Sequence, residues 1–103
     1  MERLSDAIPE DFSLRQNYPN PFNPSATIQY QLPTTSRVCL SVYNVLGQIV
    51  AQLVKGVEEV GYKSVTWNAP RFSSGIYFYR LEATSISDPS KTFTSVKKMV
   101  LMK

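Results

Sequence analysis

Histidine is absent and cysteine occurs once, at Cys39, in a chain of 103 residues. Without an imidazole there is no histidine general base, no Ser-His-Asp or Cys-His nucleophile pair and no imidazole metal ligand. A single cysteine closes no intrachain disulfide and builds no zinc site. Long apolar runs are missing too. The longest near the C-terminus, Met99-Val100-Leu101-Met102, falls far short of a membrane span. No apolar stretch follows Met1-Glu2-Arg3, so an exported parent is expected to carry its signal peptide upstream.

What is present suits one small globular domain. Hydrophobic residues make up 43% and charged residues 18%, and folding at this length buries about 65% of the unfolded surface. The formal net charge of +3 is unevenly spread. Glu2, Asp6, Glu10 and Asp11 outweigh Arg3 and Arg15 in residues 1–36, whereas residues 37–103 carry nine lysines and arginines against Glu58, Glu59, Glu82 and Asp88. This density of basic residues is below what nucleic-acid binding uses, so no nucleic-acid partner is expected.

Residues 1–14 are polar and acidic and read as a linker or loosely held arm; residues 15–103 read as a single domain. Pro19, Pro21 and Pro24 crowd the segment Asn17–Pro24, forbidding helix and central strand there. A stiff, polyproline-like lead-in is expected, with Tyr18 and Phe22 available to pin it to a core edge. From residue 26 the period becomes two. Ile28, Tyr30 and Leu32 alternate with polar residues, and Val38, Leu40 and Val42 do the same, as half-buried strands require. Asn44 and Gly47 fit a type I turn with the glycine left-handed, so residues 37–54 read as a hairpin. Lys55–Gly61 reads as a second connection. Val65 and Trp67 mark a further strand. Ile76–Ala83 is another, with Tyr77, Tyr79, Leu81 and Ala83 on one face. Ser85–Lys91 is a polar loop and Phe93–Met102 the last strand. Six or seven short strands and no helical period predict an all-β fold, an Ig-like antiparallel β-sandwich.

No residue set carries obvious chemistry. Glu58-Glu59 reads as a solvated turn, since catalytic carboxylates need partners held across a cleft. Asp88 among Ser85, Ser87 and Ser90 lacks the spaced carboxylates of a calcium site, so neither metal nor cofactor is expected. Cys39 has no base to activate it. Trp67, Tyr77, Phe78 and Tyr79 would stack on sugar rings if they formed an exposed flat strip, which keeps a carbohydrate- or cell-surface-binding accessory module as the second reading. Aromatics on the strands of a small sandwich usually fill its interior.

Several segments fall into one order. Gln16-Asn17-Tyr18-Pro19-Asn20-Pro21-Phe22-Asn23-Pro24 precedes Thr27–Pro33, then Val42–Gln48, Val65-Thr66-Trp67, Ser74-Gly75-Ile76-Tyr77-Phe78-Tyr79-Arg80-Leu81 and Lys97–Leu101. The set resembles the C-terminal sorting domain of type IX secretion substrates (T9SS type A), and also the Ig-like domain of flagellar hook-capping proteins. The resemblance implies a non-enzymatic signal that directs an N-terminal passenger across the periplasm and outer membrane, through the type IX secretion machinery, to the cell surface or medium. It implies a sortase-like peptidase as partner, cutting within or before residues 1–14. Translocon recognition by this resemblance falls to Gly75 and Tyr77 and to the tail Lys97, Lys98, Met99, Val100, Leu101 and Lys103. Asn44 and Gly47 take an architectural role, and Pro19, Pro21 and Phe22 a clamping one. The tail is expected to be an edge strand guarded by lysines and open to strand addition.

The core assignment of Trp67 is directly testable. Trp67→Ala is expected to cost about 3–5 kcal/mol by chemical denaturation. A loss below about 1 kcal/mol would place the indole on the surface and favour the sugar-binding reading.

Overall fold

The computed structural model describes residues 8–103, so half of the expected arm lies outside the described residues. The two-residue period builds seven strands: β1 (Ser13–Leu14), β2 (Ser25–Leu32), β3 (Ser36–Tyr43), β4 (Ile49–Glu58), β5 (Gly61–Asn68), β6 (Gly75–Ser85) and β7 (Thr92–Leu101). They form two antiparallel sheets, one ordered β1-β2-β5 and the other β4-β3-β6-β7. The two sheets make a sandwich in which alternate residues turn inward. Ile28, Tyr30 and Leu32 from β2 meet Val38, Leu40 and Val42 from β3, with Tyr79 and Leu81 from β6 and Met99 and Leu101 from β7. Trp67 is 4% exposed and stands in the core. Burying a side chain of this kind stabilises the fold by about 1.5–3 kcal/mol.

The Asn44–Gly47 turn forms as its residues require. Gly47 N–H donates to Asn44 O at 3.0 Å, and Gly47 sits at φ +82°, a left-handed value that favours glycine. The Asn44 side-chain oxygen accepts from the Leu46 and Gln48 amides at 2.9 and 3.0 Å, which fixes the β3–β4 hairpin.

Four local expectations are corrected. The arm ends earlier than residue 14: Leu14 is buried, Ser13 and Leu14 pair with Gln31 and Tyr30, and Phe12 stacks on Phe93 at 5.6 Å. Apolar residues inside a polar stretch found a core edge to cover. Lys55–Gly61 is mostly strand, since β4 runs to Glu58 and only Glu59 and Val60 connect it to β5. Glu58 does not belong to a solvated turn: its carboxylate accepts a hydrogen bond from the Tyr30 hydroxyl of the opposite sheet. A buried tyrosine needs a partner for its O–H. Finally, Asn17–Pro24 is no straight polyproline rod. Its Tyr18-Pro19, Asn20-Pro21 and Asn23-Pro24 peptide bonds are cis. Its backbone groups, which a polyproline helix would leave to water, bond to strands on both sides. Tyr18 bridges to Thr27 of β2 and Phe22 to Leu101 of β7.

That strap, residues 15–24, is anchored from the interior by Tyr79. Its hydroxyl donates to Arg15 O at 2.7 Å and accepts from Asn17 N–H at 2.8 Å, while Arg15 N–H donates to Gln29 O at 2.9 Å. Tyr79 is fully buried. Burial pushes its hydroxyl up to about 12, with the Asn17 amide acting in the opposite sense. Tyr30 is raised further, first by burial and then by Glu58.

Tyr79→Phe strands the Arg15 carbonyl and the Asn17 amide, so it is expected to cost about 1–3 kcal/mol in urea unfolding. It should also speed hydrogen exchange at Asn17, and exchange at the wild-type rate would show that the hydroxyl does not hold the strap. Both raised tyrosines bind their proton more tightly folded than unfolded. Stability should therefore stay level from pH 7 to 9 and fall above pH 10, where the unfolded chain loses protons first, by up to about 1.4 kcal/mol per pH unit per tyrosine. Unfolding curves at pH 7, 9 and 11 test this, with a shallower decline expected in Tyr79→Phe.

Candidate recognition surface

One end of the sandwich collects nearly every residue that the sequence singles out. Gly75 opens β6 at φ +152°, a conformation that side chains rarely adopt, although no atom stands within 4 Å of where its Cβ would be. Backbone conformation, rather than crowding, requires the glycine. Two residues on, the alternation of β6 turns Tyr77 inward, where its hydroxyl donates to Ser73 O at 2.7 Å. The Tyr77 ring lies 5.5 Å from Trp67 and 6.2 Å from Phe72, edge-on. Trp67 in turn stands 5.3 Å from Phe72 and 5.7 Å from Phe22. Four aromatic rings from the strap, the end of β5, the following loop and the start of β6 thus pack as one cluster, in the tilted arrangements that aromatic pairs prefer.

The C-terminal end of the tail strand is covered on both edges. On one side β7 pairs with β6 from Thr92 to Leu101. On the other, Phe22 N–H donates to Val100 O at 2.9 Å and Met102 N–H donates to Phe22 O at 3.0 Å. The Asn20 side-chain oxygen accepts from Val100 N–H at 3.0 Å, and the Gln16 amide donates to Lys98 O at 2.7 Å. The expected open edge is therefore closed along residues 98–102. An unpaired edge beside exposed apolar chain is a liability, and the strap removes it. Past the strand, Lys103 N–H donates to Ser74 Oγ at 3.0 Å and its ammonium to Pro70 O at 2.5 Å.

The candidate recognition residues divide accordingly. Met99 and Leu101 have no exposed surface and Tyr77 is buried, so their side chains hold the fold. Lys98 and Lys103 are exposed, and Lys97 and Val100 are half-buried. Pro19 and Pro21 lie exposed on the strap while Phe22 is sealed beneath it. Sequence reasoning missed Gln16 and Asn20, which tie strap to tail, and Tyr79, which ties the strap to β6. Only the Tyr79 hydroxyl carried a signal, as a polar atom on an inward face.

No metal-holding cluster emerges among the described residues. No three cysteine or acidic side chains converge. The Asp88 carboxylate is taken up by Ser90, whose hydroxyl and amide donate to it at 2.6 and 3.3 Å and hold its carboxyl below the usual range. Cys39 contacts Ser41 Oγ at 3.4 Å and accepts from the Gln52 amide at the same distance. No helix is long and apolar enough to cross a membrane among the described residues.

Comparison with known proteins agrees with this geometry. CopC from Methylosinus trichosporium OB3b has a similar fold, with a TM-score of 0.59 over 88% of this chain and 93% of that one, at 14% identity. At that identity the likeness concerns the sandwich alone. No curated protein matches in sequence. The secretion system C-terminal sorting domain family matches residues 16–101, a stretch that begins at the Gln16 contact to the tail and ends at Leu101, the last core residue. The aromatic cluster lies within that match, as do the strap from Gln16 and the tail strand to Leu101, and the chain belongs to the family of C-terminal sorting domains of type IX secretion.

Proposed function

We propose that the secretion machinery reads this domain as a folded surface and not as a linear tail. The observation that carries the proposal is the burial of Met99 and Leu101 beneath a closed edge. A receptor meeting the folded chain touches Lys98, Lys103 and the half-buried Lys97 and Val100 instead. Gly75 and Tyr77 serve by shaping that end. In this reading the passenger precedes the domain, passes through the periplasm and is delivered to the cell surface or medium. The sortase-like peptidase cuts on the N-terminal side of Phe12, because from Phe12 onward the chain is packed on Phe93 or paired in a sheet. The domain itself works without catalysis or cofactor. A sugar-binding role draws no support from the aromatics, since Trp67, Tyr77 and Tyr79 are buried and Phe78 alone turns outward.

The test fuses residues 1–103 behind an exported reporter in a type IX-competent host. The wild-type fusion should reach the surface or medium. Leu101→Ala, expected to cost about 2–5 kcal/mol, should reduce delivery in step with the folded fraction. A triple variant carrying Lys97→Gln, Lys98→Gln and Lys103→Gln should fold and yet deliver poorly. Delivery of an unfolded Leu101→Ala fusion at the wild-type level would overturn the folded-surface reading. Full delivery by the triple variant would remove the lysines from the recognised set.

A further inference from the structure

The outer face of the four-stranded sheet is more apolar and more cationic than a solvated face needs to be. Residues of β3, β4, β6 and β7 that alternate with the core project there. Cross-strand register sets Tyr43 beside Phe78 and Phe78 beside Lys98, with Arg80 between Ser41 and Val96. Ile49 and Val96 are 58% and 54% exposed, and Val45 and Leu46 of the adjoining turn are 67% and 78% exposed. Tyr43, Val45, Phe78, Arg80 and Val96 enclose a shallow hollow of ≈ 360 Å³. Single exposed apolar residues are ordinary, but a contiguous group with a hollow in it marks an interaction surface.

Arg80 occupies the centre of this group in an unfinished state. Its guanidinium lies 5.2 Å from the Tyr43 ring centroid. One terminal nitrogen reaches the Glu82 carboxylate at 3.3 Å, and its Nε is buried with no hydrogen-bond partner. The side chain as a whole is 40% exposed and spends one terminal donor on Glu82, so a guanidinium held against a ring keeps terminal N–H groups free for a carboxylate. Across the whole face Arg37, Lys55, Arg80 and Lys98 stand against Glu82 alone.

We propose that this face docks an acidic protein partner, one presenting an aliphatic or aromatic side chain next to a carboxylate. The side chain enters the hollow between Val45, Phe78 and Val96, and the carboxylate meets Arg80. A second copy of the chain is disfavoured, because two such faces would bring like charges together. An anionic glycan or lipid surface suits it less well. The cations are spaced rather than clustered, and Val45, Arg80 and Val96 share the walls with Tyr43 and Phe78, which leaves no continuous aromatic strip for sugar rings. The proposal rests on the sorting role above and supplies it with the chemistry of the partner.

The binding test is independent of secretion. N-acetyl-leucine, titrated at millimolar concentration into the full chain and followed by NMR, should shift the Arg80 Nε–H and the Val45 and Val96 methyl signals saturably. N-acetyl-leucinamide and acetate should bind about tenfold more weakly, each lacking one of the two features. Arg80→Gln should abolish the preference for the acid over the amide. No saturable shift overturns the proposal, as does equal or tighter binding of glucuronate, which would mean an anionic glycan partner. In the secretion assay, Arg80→Gln and Val96→Glu, both solvent-face changes whose folding is checked by thermal melting, should cut delivery about tenfold. Wild-type delivery by both overturns the link between this face and the machinery. If the unaltered fusion itself is not delivered, the sorting role fails and the titration still decides the face.

Discussion

The closure of β7 by the strap is the constraint on which the rest of this structure depends. An edge strand exposes unpaired backbone donors and acceptors, and at the C-terminal end of β7 the strap takes them up. Residues 16–22 do so through two backbone and two side-chain hydrogen bonds to Val100, Met102 and Lys98, while Phe22 inserts beneath them at 1% exposure. The strap is itself tied down by the Tyr79 hydroxyl from the core. The strap and the last strand thus stabilise each other directly, and Tyr79 of β6 holds the strap in place. Interior packing, edge closure and the position of the C-terminus are consequently one cooperative unit.

This coupling explains why so much of the motif is internal. Tyr77, Trp67 and Phe22 are far apart in sequence but share one aromatic cluster. Met99 and Leu101 complete the core next to Phe22. A family signature built from such residues specifies the sandwich end as a shape. The chemistry available to a receptor then comes from what the fold leaves outside, chiefly lysines and the outward residues of β3, β6 and β7.

The strands were legible because their period is a local property. Ile28, Tyr30 and Leu32, then Val38, Leu40 and Val42, then Tyr77 through Ala83 all turn inward as their alternation requires. The hairpin at Asn44–Gly47 was legible too, because its asparagine and glycine are demanded by the turn geometry. What sequence could not supply were pairings between distant segments. Nothing near Glu58 announces that Tyr30 will reach it from the other sheet, so a glutamate pair between two glycines reads as a loop. Nothing in Lys97–Lys103 announces that Gln16, Asn20 and Phe22 will cover its edge, so the tail reads as open. Prolines likewise forbid regular structure without saying where the irregular chain will bond.

The same distinction bears on how a signal of this size is recognised. A tail read in extended form needs its apolar residues accessible, and release of Met99 and Leu101 would cost the domain two fully buried side chains together with both hydrogen-bonded edges of β7. For a domain whose total stability is on the order of 5–15 kcal/mol, losing two such side chains, at about 2–5 kcal/mol each when truncated, approaches global unfolding. A folded surface carries no such cost. The Arg80 face is already assembled in the free domain, its guanidinium placed by Tyr43 and Glu82, so little ordering remains to oppose association. The energetics therefore favour a machinery that inspects the finished sandwich. On the folded-surface proposal, folding is the condition of being recognised, and the buried motif residues act by securing that fold.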